Sequence, residues 1–269
     1  MRILGVAALA LLAPLAGCGE TREASAAQGT GTRCPSAWLA RHEPAGANLE
    51  VLVAAGPTIP GGRWPAYRAM ATAAAACAGA GSSLTLRPIT DRSLTELPLF
   101  TMTVPEQSGQ NAVNPLRFAT ELRAFAVREA AAVDRLPAVG KDATGSDPLG
   151  ALAAAGQNLR LERPDSKRVV VLIFNGWQQT QALNLFAYRR DPAGSSAAAV
   201  RSLRASGALP ELAGTEVAIA GLTAGATTMR ISDDQLAGLC RFWRGIVEAS
   251  EGTLTLCSAG LPGIGDAGS

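Results

Sequence analysis

Five thiols are the residues best equipped for covalent chemistry: Cys18, Cys34, Cys77, Cys240 and Cys257. Cys18 stands apart from the others. It follows Met1-Arg2, an apolar run from Ile3 to Ala16, and Gly17, a basic start and short apolar core laid out like an export signal. The run falls short of the roughly 20 apolar residues needed to span a bilayer. The other four thiols form no C-x-x-C pair, so zinc binding and dithiol redox chemistry are not expected. In an exported chain an even set reads as two disulfides, with three connectivities open. Acid–base catalysis has little to work with. The single histidine, His42, precedes the first strand-like segment, no G-x-S-x-G turn presents a nucleophile, and no G-x-x-x-x-G-K-[ST] loop cradles a phosphate. Gly61-Gly62 lacks the surroundings of a dinucleotide site. The expectation is a protein that is not an enzyme.

Leu15-Ala16-Gly17-Cys18 resembles the bacterial lipobox, where small residues before the cysteine admit the lipoprotein peptidase. That resemblance implies that Cys18 carries lipid and becomes the mature N-terminus, anchoring the protein to the cell membrane, or to the outer membrane of a Gram-negative cell. Residues 1–17 are then the signal. Residues 18–33, rich in Gly, Ala, Ser, Thr and Glu, read as a flexible tether, because so few large apolar side chains cannot drive folding. The folded part is assigned to 34–258, and the Gly-rich end, 259–269, is expected to be disordered. Hydrophobic residues make up 48% of the chain, enough for a sizeable core, and the formal charge of +2 gives no long-range attraction to nucleic acid or anionic lipid.

The elements that must position any site alternate along the chain. Strands are expected at Asn48–Ala55, Ser83–Ile89, Leu99–Val104, Arg168–Phe174, Glu216–Leu222 and Thr253–Leu256, and helices at Arg63–Ala78, Leu116–Leu136, Asp147–Leu161, Ser195–Ala205 and Asp233–Ser250. RVVVLIF at 168–174 is apolar without alternation, as a central parallel strand buried on both faces should be. Alternating strands and helices imply an α/β, doubly wound, mainly parallel sheet.

Three segments carry a resemblance to the von Willebrand factor type A domain over about Asn48 to Ser250. They are the buried opening strand with its loop, Gly145-Ser146-Asp147-Pro148 entering a helix, and the central strand ending in Asn175-Gly176. The resemblance implies a six-stranded sheet with helices on both faces, Leu99–Val104 being an antiparallel edge strand. It also implies a metal site at the carboxyl end of the sheet, and there the sequence departs from the family. Ala54 stands in the place of the first Asp, Gly56 in that of a Ser, and Asn175 in that of the last Asp; Thr58 keeps a hydroxyl and Ser146 substitutes for Thr. A hard cation such as Mg²⁺ loses both usual carboxylates, so no metal and no cofactor is expected. The same loops, with Thr58, Ser146, Asp147, Asn175, Trp177 and Gln178, become the expected surface for a protein partner, Trp177 as anchor, in a protein that binds that partner or acts as an envelope scaffold. A solute-binding lipoprotein using the same crevice is the alternative. The type A topology further implies the pairs Cys34–Cys77 and Cys240–Cys257.

Overall fold

The computed structural model describes residues 34–42, 46–56, 59, 62–162, 165–180, 183–188, 191–223 and 231–264. The proposed signal and tether and Thr58 lie outside them. Six strands form one sheet: β1 (Asn48–Ala54), β2 (Ser83–Ile89), β3 (Phe100–Thr103), β4 (Arg168–Ile173), β5 (Thr215–Ala220) and β6 (Thr253–Cys257), in the order β3-β2-β1-β4-β5-β6. All neighbours are parallel except β3, which runs antiparallel to β2 with Leu86 opposite Phe100. The α/β, doubly wound, mainly parallel class therefore holds, with its single antiparallel strand at an edge. β1 is buried along its whole length and β4 from its second residue onward, which is why both read as continuous apolar runs.

Among the described residues, seven α-helices connect and cover the strands: α1 (Ala37–His42), α2 (Trp64–Ala76), α3 (Gln110–Val113), α4 (Pro115–Val139), α5 (Pro148–Glu162), α6 (Pro192–Ala205) and α7 (Asp233–Ala249). Paired residues of parallel strands face the same side, so the strands sort the helices into two layers. Phe100 meets Phe125 of α4 on one face, and Glu50 meets Asn158 of α5 on the other. α1 and α2 join α4, and α6 and α7 join α5.

Helix starts follow their caps. Asp191 accepts from Gly194 N at 2.9 Å and Pro192 takes the first turn, so α6 begins three residues before the expected Ser195. Ser232 and Gln235 close a reciprocal capping box on α7. α4 runs one turn beyond Leu136, because Pro137 falls in its last turn, where one lost backbone bond is tolerable.

The described chain continues past β6 as far as Ile264. Leu261 is buried, and a Cβ on Gly263 would lie 2.3 Å from the Pro35 carbonyl oxygen, so the last described segment packs against the first. The four cysteines are joined as Cys34–Cys77 and Cys240–Cys257. In the chain-entropy account, loops of these sizes stabilise by roughly 4 and 3 kcal/mol.

Candidate functional site

Open α/β sheets bind ligands beyond the carboxyl ends of their strands, where strand order reverses. Here that point lies between β1 and β4. Four loops meet there, and their contents decide what chemistry is available.

The loop after β1 brings no side-chain oxygen among its first residues. Ala54 and Ala55 are buried, and Gly56 follows with φ +58°. A Cβ on Gly56 would fall 2.0 Å from the carbonyl oxygen of Gly140 at the end of α4, so backbone packs on backbone where a cation-binding loop would need room. The loop after β4 spends polar groups on internal hydrogen bonds, within itself and to neighbouring segments. Asn175 Oδ1 accepts the Trp177 N–H at 3.0 Å, while the Asn175 carbonyl accepts from Thr223 N.

Asp147 caps α5. Its backbone N–H donates to the Thr90 carbonyl at 2.8 Å, and its Oδ1 accepts from Gly150 N at 2.9 Å and from Gln178 Nε2 at 3.3 Å. Burial pushes its carboxyl upward, against the opposing pull of the Gly150 N–H. Gln178 Oε1 accepts the Leu149 N–H at 3.2 Å, so two side chains from separate loops share one helix start. Ser146 pairs with Gln179 in an isolated bridge, backbone to backbone. Asp91, from the loop after β2, ties in the fourth segment. Its Oδ2 accepts both the backbone N–H (3.0 Å) and the hydroxyl (2.8 Å) of Thr144, which hold its carboxyl below the usual range.

The structure thus brings Ser146, Asp147, Asn175, Trp177 and Gln178 to one end of the sheet. Two of them are placed away from solvent. Trp177 is 5% exposed, with its indole N–H donated to the Thr223 carbonyl at 3.0 Å, and Gln178 is fully buried. A ring and an amide buried in this way fasten loops together. The exposed apolar side chains at this end are Leu94 (53%) and Leu97 (79%), in the loop that follows β2. A Cβ on Gly150 would lie 3.1 Å from Leu94 N, placing this loop directly beside the Asp147 cap. The sequence signal for them is two leucines in a polar, non-periodic stretch, DRSLTELP, where no core position calls for them. Leu94 also borders a shallow groove of about 290 Å³ running along α5, with Leu149, Ala153, Leu203 and Leu209 on its walls.

A Mg²⁺ site of the kind the resemblance implies does not fit this donor set. The β1 loop is closed by Gly140, the Asn175 oxygen is engaged, and Asp147 is committed to α5. Among the described residues no group of three or more His, Cys, Asp or Glu side chains is placed to hold a metal. Titrating Mg²⁺ or Mn²⁺ into the purified protein is expected to give no saturable heat and no melting shift. A micromolar site that disappears with Asp147→Asn or Ser146→Ala would refute this.

No family model matches the chain, and no curated protein matches it either. Among solved structures, the conserved hypothetical protein BatB from Bacteroides thetaiotaomicron is similar at a TM-score of 0.38 and 9% identity, over 79% of this chain and 91% of BatB.

Proposed function

We propose that this protein is a lipid-anchored, extracytoplasmic and non-catalytic domain of von Willebrand factor type A kind. In this reading it recognises a protein partner through the loops at the carboxyl end of its sheet. The observation that carries it is the pair Leu94 and Leu97, exposed beside the Asp147 cap at the end where such sheets place ligands. Exposed leucines flanked by polar side chains are the composition of a contact patch. The strand order, with β3 antiparallel at the edge, supports the type A reading. The two disulfides support an oxidising compartment. Among the described residues no helix is long and apolar enough to cross a membrane; in this reading the attachment is the lipid on Cys18.

Two experiments test the halves of this reading. Cys18→Ser is expected to abolish labelling by a palmitate analogue and to leave an unprocessed or released chain; labelling that survives would remove the anchor. Cross-linking and pull-down from solubilised envelope should recover a partner with the wild-type chain and lose it with Leu94→Asp/Leu97→Asp, at unchanged melting temperature. The groove along α5 would serve the solute-binding alternative. Melting shifts with small molecules, retained in the leucine variant, would favour that alternative instead.

A further inference from the structure

Among the described residues, nothing covers one face of α4. From Pro115 to Ala124 the helix buries no residue, and its first buried side chain is Phe125, which meets Phe100 of β3. At 1.5 Å per residue the uncovered part extends about 15 Å from Phe125. Leu116, Thr120, Arg123 and Val127 recur at i, i+4, i+7 and i+11, with Ala119 and Ala126 alongside, and all six are exposed. Leu116 is 82% and Val127 64% exposed, and Val113 of α3, just before the helix, is 83%. The one charge in this stripe is Arg123. Arg117 and Arg128 flank it on one side, while Glu121 lies on the far side of Arg117, bonded to it at 2.8 Å.

The chain enters the body at the end toward which this face extends. β3 finishes with Thr103 opposite Ser83, the first residue of β2, so α4 starts at the amino end of the sheet. Cys34 is bonded to Cys77, one residue beyond the end of α2 and close in sequence to that same Ser83. From Cys34 back to Cys18 the chain can span at most about 55 Å fully extended.

We infer that the outer face of α4 is a lipid-contact surface, resting on anionic headgroups when Cys18 is acylated; this rests on the anchor reading proposed above. From Leu116 to Val127 the stripe is apolar with one cation on it and cations along one side, and Asp134, further along the same line, is ion-paired to Arg68; this is the pattern of a helix lying in the bilayer interface. The arginine stems reach along the apolar surface while their guanidinium groups meet phosphate. The near-neutral chain has no long-range pull on lipid, so the contact forms only after the anchor holds the body within reach. The contact would set orientation, leaving the Leu94 and Leu97 loop, at the other end of the sheet, free for a partner.

The test uses the full acylated chain reconstituted into vesicles of phosphatidylcholine and phosphatidylglycerol containing nitroxide-labelled lipid. With Cys18 acylated and the other four cysteines in disulfides, a single introduced cysteine takes a fluorophore selectively. Labels at Leu116→Cys and Val127→Cys should be quenched several-fold more than one at Leu97→Cys, and Arg123→Glu should reduce the difference. Equal quenching at all three positions in a chain with proven acylation would overturn the inference and leave the anchor standing. Labels equally shielded in detergent without lipid would assign the face to protein contact and overturn it too. A chain that takes no palmitate label would remove the anchor reading, and this inference with it.

Discussion

Trp243→Ala should lower the stability of the protein by about 3–5 kcal/mol, the range for deleting a large buried aromatic side chain. The indole is fully buried and meets Phe174 edge-on at 5.3 Å and Phe242 at 5.7 Å. Its Nε1–H donates to the Gly176 carbonyl at 2.9 Å, so one side chain of α7 both fills the core and fixes the turn that ends β4. That turn has no slack. Gly176 sits at φ +90°, and a Cβ there would meet Leu222 at 2.7 Å. Trp243→Phe keeps most of the packing but leaves the carbonyl without its donor, a loss of about 1–3 kcal/mol. Urea unfolding at constant pH measures both. A loss below about 1 kcal/mol for the alanine variant would show that the site collapses around the deletion or that the contact adds little. For a domain of this size the larger loss corresponds to roughly 10 °C or more in melting temperature. Because Gly176 leads directly into Trp177 and Gln178, the variant should also loosen the α5 cap that Gln178 shares with Asp147.

Much of this architecture is legible in the residues, for reasons that differ between elements. β4 announces itself because both its faces are covered, so nothing polar interrupts VVVLI. β2 reads correctly through Pro88, which lies beyond the last residue paired with β3, Leu86, and so has β1 as its one paired neighbour. α1, six residues long, and α3, a single turn, leave no periodic pattern to find. The candidate site divides in the same way. The missing carboxylates at Ala54 and Asn175 are visible in sequence, since they are questions of residue type. The Gly56–Gly140 backbone contact, the Asp91–Thr144 tie and the burial of Trp177 are not, because each depends on a distant segment whose approach only the folded chain defines. Trp177 is the clearest case. Beside a strand end and three glutamine side chains it reads as a recognition anchor, and the structure spends it on holding down the loop after β5.

The remaining large effect is on pH dependence, and it comes from two acids buried in the sheet's flanks. Glu50 lies at the middle of β1, 1% exposed, and burial pushes its carboxyl up to about 7 against the pull of Arg87 and the hydrogen bond from Asn158. Arg87 Nε is 3.6 Å from Glu50 Oε2, an ion pair without a hydrogen bond, and both atoms are otherwise unpartnered. Such a pair recovers only part of the cost of burying its charges. Glu129, on the buried side of α4, is likewise pushed up to about 7, chiefly by burial, with Arg68 opposing. In the unfolded chain both carboxyls return to about 4.5. Between that value and about 7 the native protein holds protons that the unfolded chain has released, so stability falls as pH rises through this window. Each acid contributes a loss of up to about 3 kcal/mol, complete once pH passes the native value. Asp91 and Glu216 act in the opposite sense. Thr144 holds the carboxyl of Asp91 down; His42 and Lys167 do the same for Glu216 against its burial, and their stabilisation is lost as pH falls through their lowered native values. Maximum stability is therefore expected near pH 5 rather than at neutrality. Urea unfolding at pH 5, 6, 7 and 8 should show a decline for the wild type that levels off above pH 7, its total roughly halved by Glu50→Gln and mostly removed when Glu129→Gln is added. The slope is the readout, since Glu50→Gln also strips Arg87 of its counter-charge and lowers stability at every pH. A wild-type profile that is level or rising from pH 5 to 8 would mean that Arg87 and Arg68 hold both acids ionised throughout, and that burial is not the dominant influence on either.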